Sequence, residues 1–197
     1  MRAIDVPSPD QKTHFTGLQV AASLRLEVKD DPRMHNPTSP RVTPTRRKGH
    51  ASLRRGRVSA PGHVYFLTFG TRDRRPVFRD AAPASTMAAA LGGGTLDGAN
   101  LFLAWVVMPD HVHLLMELSA PESLSVAVAR IKSGSSRRVN AVLQRRGTLW
   151  ASGYHDHALR SEESLEPVVE YLLANPMRAG LVARPEEYEF AWSRWRR

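Results

Sequence analysis

Hydrophobic positions follow two periods along this chain, and each period predicts its own elements. "LFLAWVVM" (101–108) is apolar at nearly every position, which predicts a strand covered on both faces. "HVHLLMEL" (111–118) alternates. Val112, Leu114, Met116 and Leu118 share one face, and His111, His113, Leu115 and Glu117 share the other. The "PD" between the two runs predicts a tight turn and hence a hairpin. Upstream, "HVYFLTFGT" (63–71) is rich in aromatic and β-branched residues and predicts another strand. "HALR" (157–160) predicts a short one.

Three segments carry a helical period. Residues 81–91 read as a helix stopped by Gly92, Gly93 and Gly94. Residues 122–146 place Leu124, Val128 and Ile131 on one face. Residues 161–176 place Leu165, Val168, Val169, Leu172 and Leu173 on one face, with Ser164 as N-cap and an end at the residue before Pro176. Strands paired as a hairpin, with helices before and after, predict an α+β fold: a central antiparallel sheet with helices packed on one face.

Residues 1–55 break the pattern. They are rich in proline and polar residues, and predict a disordered arm with at most a short helix near "LQVAASLRLEV". The arm ends in a basic stretch, Arg46, Arg47 and Lys48 followed by Arg54, Arg55 and Arg57. The folded domain is expected over 56–197. Composition then narrows the class. The chain has 197 residues, 42% of them hydrophobic, enough for one domain with a real core. No apolar run reaches membrane-spanning length, and the first residues lack a secretory pattern, so a cytoplasmic protein is expected. There is no cysteine, which excludes disulfides and thiolate metal sites. The net charge of +9 points to a polyanionic partner, most simply nucleic acid.

The paired histidines stand about 7 Å apart at Cβ, two rises along one strand face, and can converge on one ion. Two ordinary surface histidines are the alternative, and a second His-x-His, His155 and His157, shows how little the spacing alone says. On the 161–176 helix, Tyr171 lies at the edge of the apolar stripe and Asn175 one turn on, so both aim at one region. A packed tyrosine and a helix-capping asparagine are again the simpler reading.

The segments "WVVMPDHVHLLMEL", "LWASGYHDHALR" and "VVEYLLANPMRAGLV" occur in this order, with "GHVYFLTFGTRDRRPVF" upstream and "WSRW" at the end. Together they resemble the single-tyrosine HUH transposases, and most closely the REP-associated branch. The resemblance covers about residues 54–195. It implies a ferredoxin-like HUH fold and a divalent cation, Mg²⁺ or Mn²⁺, held by His111 and His113. It also implies a nucleophilic Tyr171, matching the "Y-x-x-x-N-P-x-x-A-G" segment, and a third ligand at Asn175. The implied activity is metal-dependent cutting and rejoining of single-stranded or hairpin (REP-like) DNA through a covalent 5′-phosphotyrosine, by a monomer rather than a homodimer. Asp110 stands where the family often has Asn, which adds a carboxylate beside the metal and leaves Asn175 and Asp110 both open as the third ligand.

Such chemistry has a physical logic. A phenol ionises near pH 10, and a cation beside the phosphate neutralises charge on the phosphoryl oxygens. A covalent tyrosine keeps the phosphodiester energy, so a DNA 3′-OH can reverse the step. Tyr154, in a polar segment, is the rival nucleophile. Arg72, Arg74 and Arg75 after the first strand, and Arg130, Lys132, Arg137 and Arg138 on the long helix, are the expected phosphate contacts. Trp105 and Trp150 are expected in the core rather than on bases. Two alternatives remain: a DNA-binding protein of the same fold without catalysis, and a metal-dependent nuclease that uses water.

Overall fold

The computed structural model describes residues 61–119, 121–160 and 164–195; the arm at 1–55 and its short helix lie outside them. The order is β1 (Val64–Gly70), α1 (Ala81–Gly92), β2 (Leu101–Met108), β3 (His111–Glu117), α2 (Leu124–Val142), β4 (His155–Ala158), α3 (Leu165–Leu173), α4 (Asn175–Arg178) and β5 (Ala191–Ser193). The sheet runs β4-β1-β3-β2-β5 with every neighbouring pair antiparallel. β3 therefore lies between β1 and β2, and β1 between β3 and β4: two interleaved split βαβ units, the ferredoxin-like arrangement.

Both faces of the sheet are covered, which corrects the expectation of helices on one face. Tyr65, Leu67, Phe69, Val112, Leu114 and Met116 build one core with Met87 of α1 and Val128 and Ile131 of α2. Phe66, Ala104, Val106 and Leu115 build a second core with Val168, Val169 and Leu172 of α3. β2 already carried this signal, since a strand apolar on both faces needs two covers.

Three boundaries differ from the sequence reading. The fourth strand spans 155–158 rather than 157–160, so the second His-x-His lies on a strand and not in a loop. β5 has only three residues and pairs with β2 through Ala104↔Ser193 and Val106↔Ala191; no period can register in so short a run. The third helix breaks at Ala174, because Pro176 has no N–H for the carbonyl of Leu172. The Asn175 side-chain amide donates to that oxygen at 3.0 Å and to the Tyr171 carbonyl at 3.1 Å. The chain then continues as the single turn α4.

The loop from α1 to β2 is pinned to α2 by Arg130. Its guanidinium donates to the carbonyl oxygens of Leu96 and Asp97 and to the Glu122 carboxylate at 2.6 Å. Gly98, at φ 62°, passes so close that a Cβ would meet the guanidinium at 2.7 Å. These bonds hold the Glu122 carboxyl below its ordinary value. Arg130, expected to contact phosphate, is thus engaged within the fold. Arg130→Ala should lower stability by about 1–3 kcal/mol, since it strands two loop carbonyls and a carboxylate. A urea midpoint equal to that of the unaltered chain would show that the loop is held by other means.

Candidate functional site

His111 and His113 lie on the β3 face turned toward α3. The pairing sets Thr68 of β1 opposite His113, and Met108 of β2 opposite His111. Directly opposed residues project to the same side of a sheet, so Thr68 and the two histidines form a polar patch in the margin of the second core. His113 is 5% exposed, more deeply buried than a side chain on an open sheet face would be.

Each imidazole is held through its Nδ1. Asp110 Oδ1 accepts from His111 Nδ1 at 2.6 Å, and Asp110 Oδ2 pairs with Arg74 Nε at 2.9 Å. His113 Nδ1 and Thr68 Oγ1 are 2.8 Å apart. The two Nε2 atoms then face each other at 3.1 Å. Two ligands at right angles on a cation with bonds of about 2.1 Å stand about 3.0 Å apart, so the pair already has the separation a shared ion requires. Because each Nδ1 has its own partner, the two Nε2 atoms are the ones that would face such an ion.

Burial pushes the His113 imidazole well below the ordinary histidine range, and the charges of His111, Arg74 and Arg178 push the same way. For Asp110, burial raises the pKa, but the hydrogen bond and charge of His111 and the charge of Arg74 outweigh it and leave the carboxyl below its usual value. Both of its oxygens are engaged, so Asp110 orients His111 rather than offering a free ligand atom. Among the described residues no three His, Cys, Asp or Glu side chains gather to hold a metal. A third protein ligand for an ion held here would have to be of another type. Both amide hydrogens of Asn175 are committed to helix carbonyls, and its oxygen is the atom left to serve.

Tyr171 borders the same face. Its ring meets Phe66 edge-on at 6.4 Å between centroids, and Phe66 meets His113 at 5.5 Å. The Arg178 guanidinium stands 4.4 Å from the Tyr171 ring centroid. The other tyrosines are placed differently. Tyr154 packs against the first core and lines a groove beside α2, on the opposite side of the sheet. Tyr65 is buried in that core. Tyr188 donates its hydroxyl to the Val107 carbonyl at 2.8 Å, and burial pushes it up to about 12.

The expected basic contacts divide. Arg72, Arg74 and Arg75 are exposed on the turn after β1, with Arg74 reaching back to Asp110. Lys132 donates to the carbonyls of Ala151 and Gly153 at 2.7 and 2.8 Å, and burial lowers its pKa. Arg138 reaches Thr95 Oγ1 at 3.0 Å, while Arg137 is exposed. All of the α2 residues lie across the sheet from the histidine pair. Trp105 and Trp150 are buried as expected, and Trp150 donates to Ser135 Oγ at 3.0 Å.

Sequence reasoning missed several residues at this face. Thr68 reads as an ordinary strand residue, and only the register sets it against His113. Arg178 comes to the tyrosine through the break at Asn175. His155 pairs with Thr68 and His157 with Phe66, so the second His-x-His shares the face of the first.

A ferredoxin-like sheet with paired histidines and a helical tyrosine on one face defines the class. The chain belongs to the family described as IS200-like transposases, whose model matches residues 60–175. An Escherichia coli (strain K12) REP-associated tyrosine transposase is 26% identical over 88 residues, covering 45% of this chain and 51% of that protein. A Haemophilus influenzae relative, bearing the same designation in provisional form, is 23% identical over 99 residues, covering 45% and 56%. The chain thus spans about half the length of the curated relatives it matches. A solved REP-associated tyrosine transposase bound to a REP hairpin superposes with a TM-score of 0.56 at 23% identity, over 68% of this chain and 79% of that one, which establishes the shared fold.

A buried neutral imidazole links stability to pH. In metal-free protein, unfolding lets His113 regain its ordinary pKa of 6.5. The unfolded chain then binds more protons below that value, so stability is full above it and falls as pH drops toward the depressed folded value. In EDTA the denaturation midpoint should fall between about pH 7.5 and about pH 5.5, and His113→Gln should flatten the fall. An equal slope in the variant would assign the linkage to another group.

Proposed function

We propose that this chain is a metal-dependent DNA strand transferase that cuts and rejoins single-stranded DNA at a hairpin. The observation that carries this reading is the 3.1 Å approach of the His111 and His113 Nε2 atoms on the sheet face that Tyr171 borders. The family match and the REP hairpin bound by the structural relative support DNA as the substrate. The net charge of +9 supports the same partner.

His111, His113 and the Asn175 oxygen are the residues that would hold Mg²⁺ or Mn²⁺. When bound, the cation neutralises charge on the phosphoryl oxygens. The chain's own groups do the rest. Asp110 and Thr68 fix the imidazole orientations. Phe66 and Arg178 hold the Tyr171 ring from its edge and its face, so the phenol is presented in one orientation. The Tyr171 oxygen attacks the scissile phosphorus. A Tyr–O–P bond to the 5′-phosphate of the downstream fragment forms, the P–O3′ bond breaks, and that oxygen leaves as the 3′-OH of the upstream fragment with the proton the phenol gives up. The reverse attack by a DNA 3′-OH releases the tyrosine and needs no nucleotide cofactor.

With Mn²⁺ and a single-stranded hairpin carrying flanks, a denaturing gel should show a protein–DNA adduct that Tyr171→Phe abolishes while hairpin binding persists. An adduct that survives Tyr171→Phe would overturn the assignment of the nucleophile. Cleavage with no adduct would indicate attack by water. Thr68→Val should weaken Mn²⁺ binding by about 10–100-fold, because the group that orients His113 is lost. Unchanged calorimetric affinity in that variant would refute the role given to Thr68.

A further inference from the structure

Beyond the site above lies a cleft of about 310 Å³, formed by the turn after β1 and the turn after α2. Arg72, Arg75, Arg145 and Arg146 line it, with Asp73 as the one acidic side chain. Asp73 lies 3.7 Å from Arg72 Nε, and both side chains are largely exposed, so it offsets little of the positive charge.

The cleft is built rather than accidental. Gln144 at φ 47° and Gly147 at φ 98° turn the chain back after α2. Arg72 N–H donates to the Leu149 carbonyl at 2.8 Å, and Thr71 forms a bridge with Trp150. The two turns are therefore tied to one another. Arg145 Nε donates to Asn140 Oδ1 at 2.9 Å, which fixes one guanidinium in the wall. Four guanidiniums in one cleft repel each other unless an anion lies among them, and a phosphodiester fits their planar forks.

Position names the anion. Arg74, between the two arginines the first turn contributes, pairs with Asp110, which holds His111. One turn thus serves the cleft with Arg72 and Arg75 and the histidine pair with Arg74. We infer that this cleft binds backbone phosphates of the single-stranded flank leading into the His111/His113/Tyr171 site. The inference rests on the proposed strand transfer for the identity of the polymer.

The test uses fluorescence anisotropy with a labelled DNA hairpin, with and without single-stranded flanks, in EDTA over a range of salt. Arg146→Glu, at an exposed position, and Arg145→Ala/Arg146→Ala should each weaken binding of the flanked hairpin roughly tenfold at low salt. The slope of log affinity against log salt should fall by about one per arginine removed. The bare stem should bind both variants as it binds the unaltered chain. Equal affinity and slope for the flanked hairpin, in variants with unchanged thermal midpoints, would overturn the inference, as would an equal loss on the bare stem. Because EDTA prevents cleavage, this result stands apart from the adduct assay. A missing adduct sinks the strand-transfer reading without touching the cleft, and unchanged binding sinks the cleft without touching the adduct.

Discussion

The site depends on the register of β3 between β1 and β2. Side chains on a strand have period two, so a slip of one residue would turn Val112, Leu114 and Met116 into the polar margin and drive both imidazoles into the first core. The apolar alternation therefore fixes more than packing. It sets His113 opposite Thr68, brings His111 beside the Asp110 turn, and leaves Leu115 to join the second core. A two-residue turn between β2 and β3 allows no slack, which makes the Pro109–Asp110 hairpin a positioning device as well as a connection.

What could be read from the chain, and what could not, follows from the range of each interaction. Alternation and helical period are local, so the hairpin, the long helix and the aim of the two histidines were all legible. The second helical layer was legible in principle, since β2 is apolar on both faces, yet the order of hairpin and helices along the chain does not say which face each helix covers. β4 was misplaced by two residues because "HDHA" is polar, and its strand character comes only from pairing with β1. Tyr154 looked like a rival nucleophile because its segment is polar, whereas the sheet separates it from His111 and His113. Arg130 and Lys132 looked like phosphate contacts because helical position shows charge and not partners. Both turned out to satisfy backbone carbonyls of distant loops.

The electrostatics around the histidine pair are lopsided. Burial keeps His113 neutral, so it adds no cation of its own. Arg74 and Arg178 nonetheless act on it from two directions, one tied to the β1 turn and the other to the Tyr171 ring. Asp110, the carboxylate next to His111, is consumed by Arg74 and His111. Both guanidiniums are exposed, so this positive potential costs the fold little. An electropositive margin beside the neutral His113 is suited to an anion.

The Asn-Pro step joins these parts mechanically. In a continuous helix through residue 178, Arg178 would stand about two turns, or about 10.5 Å, along the axis from Tyr171. Pro176 stops that helix by removing one donor, and Asn175 replaces the donor with its own amide, so the Leu172 carbonyl keeps a partner. The redirected turn returns Arg178 over the Tyr171 ring. The same substitution of a side-chain donor for a backbone one holds the Asn175 amide in a fixed plane, which leaves its oxygen with a single orientation. One residue thereby closes a helix, sets the angle of a guanidinium and presents an oxygen. The simple reading of Asn175 as a cap and the functional reading of it as a ligand are therefore compatible, because they use different atoms of the same amide.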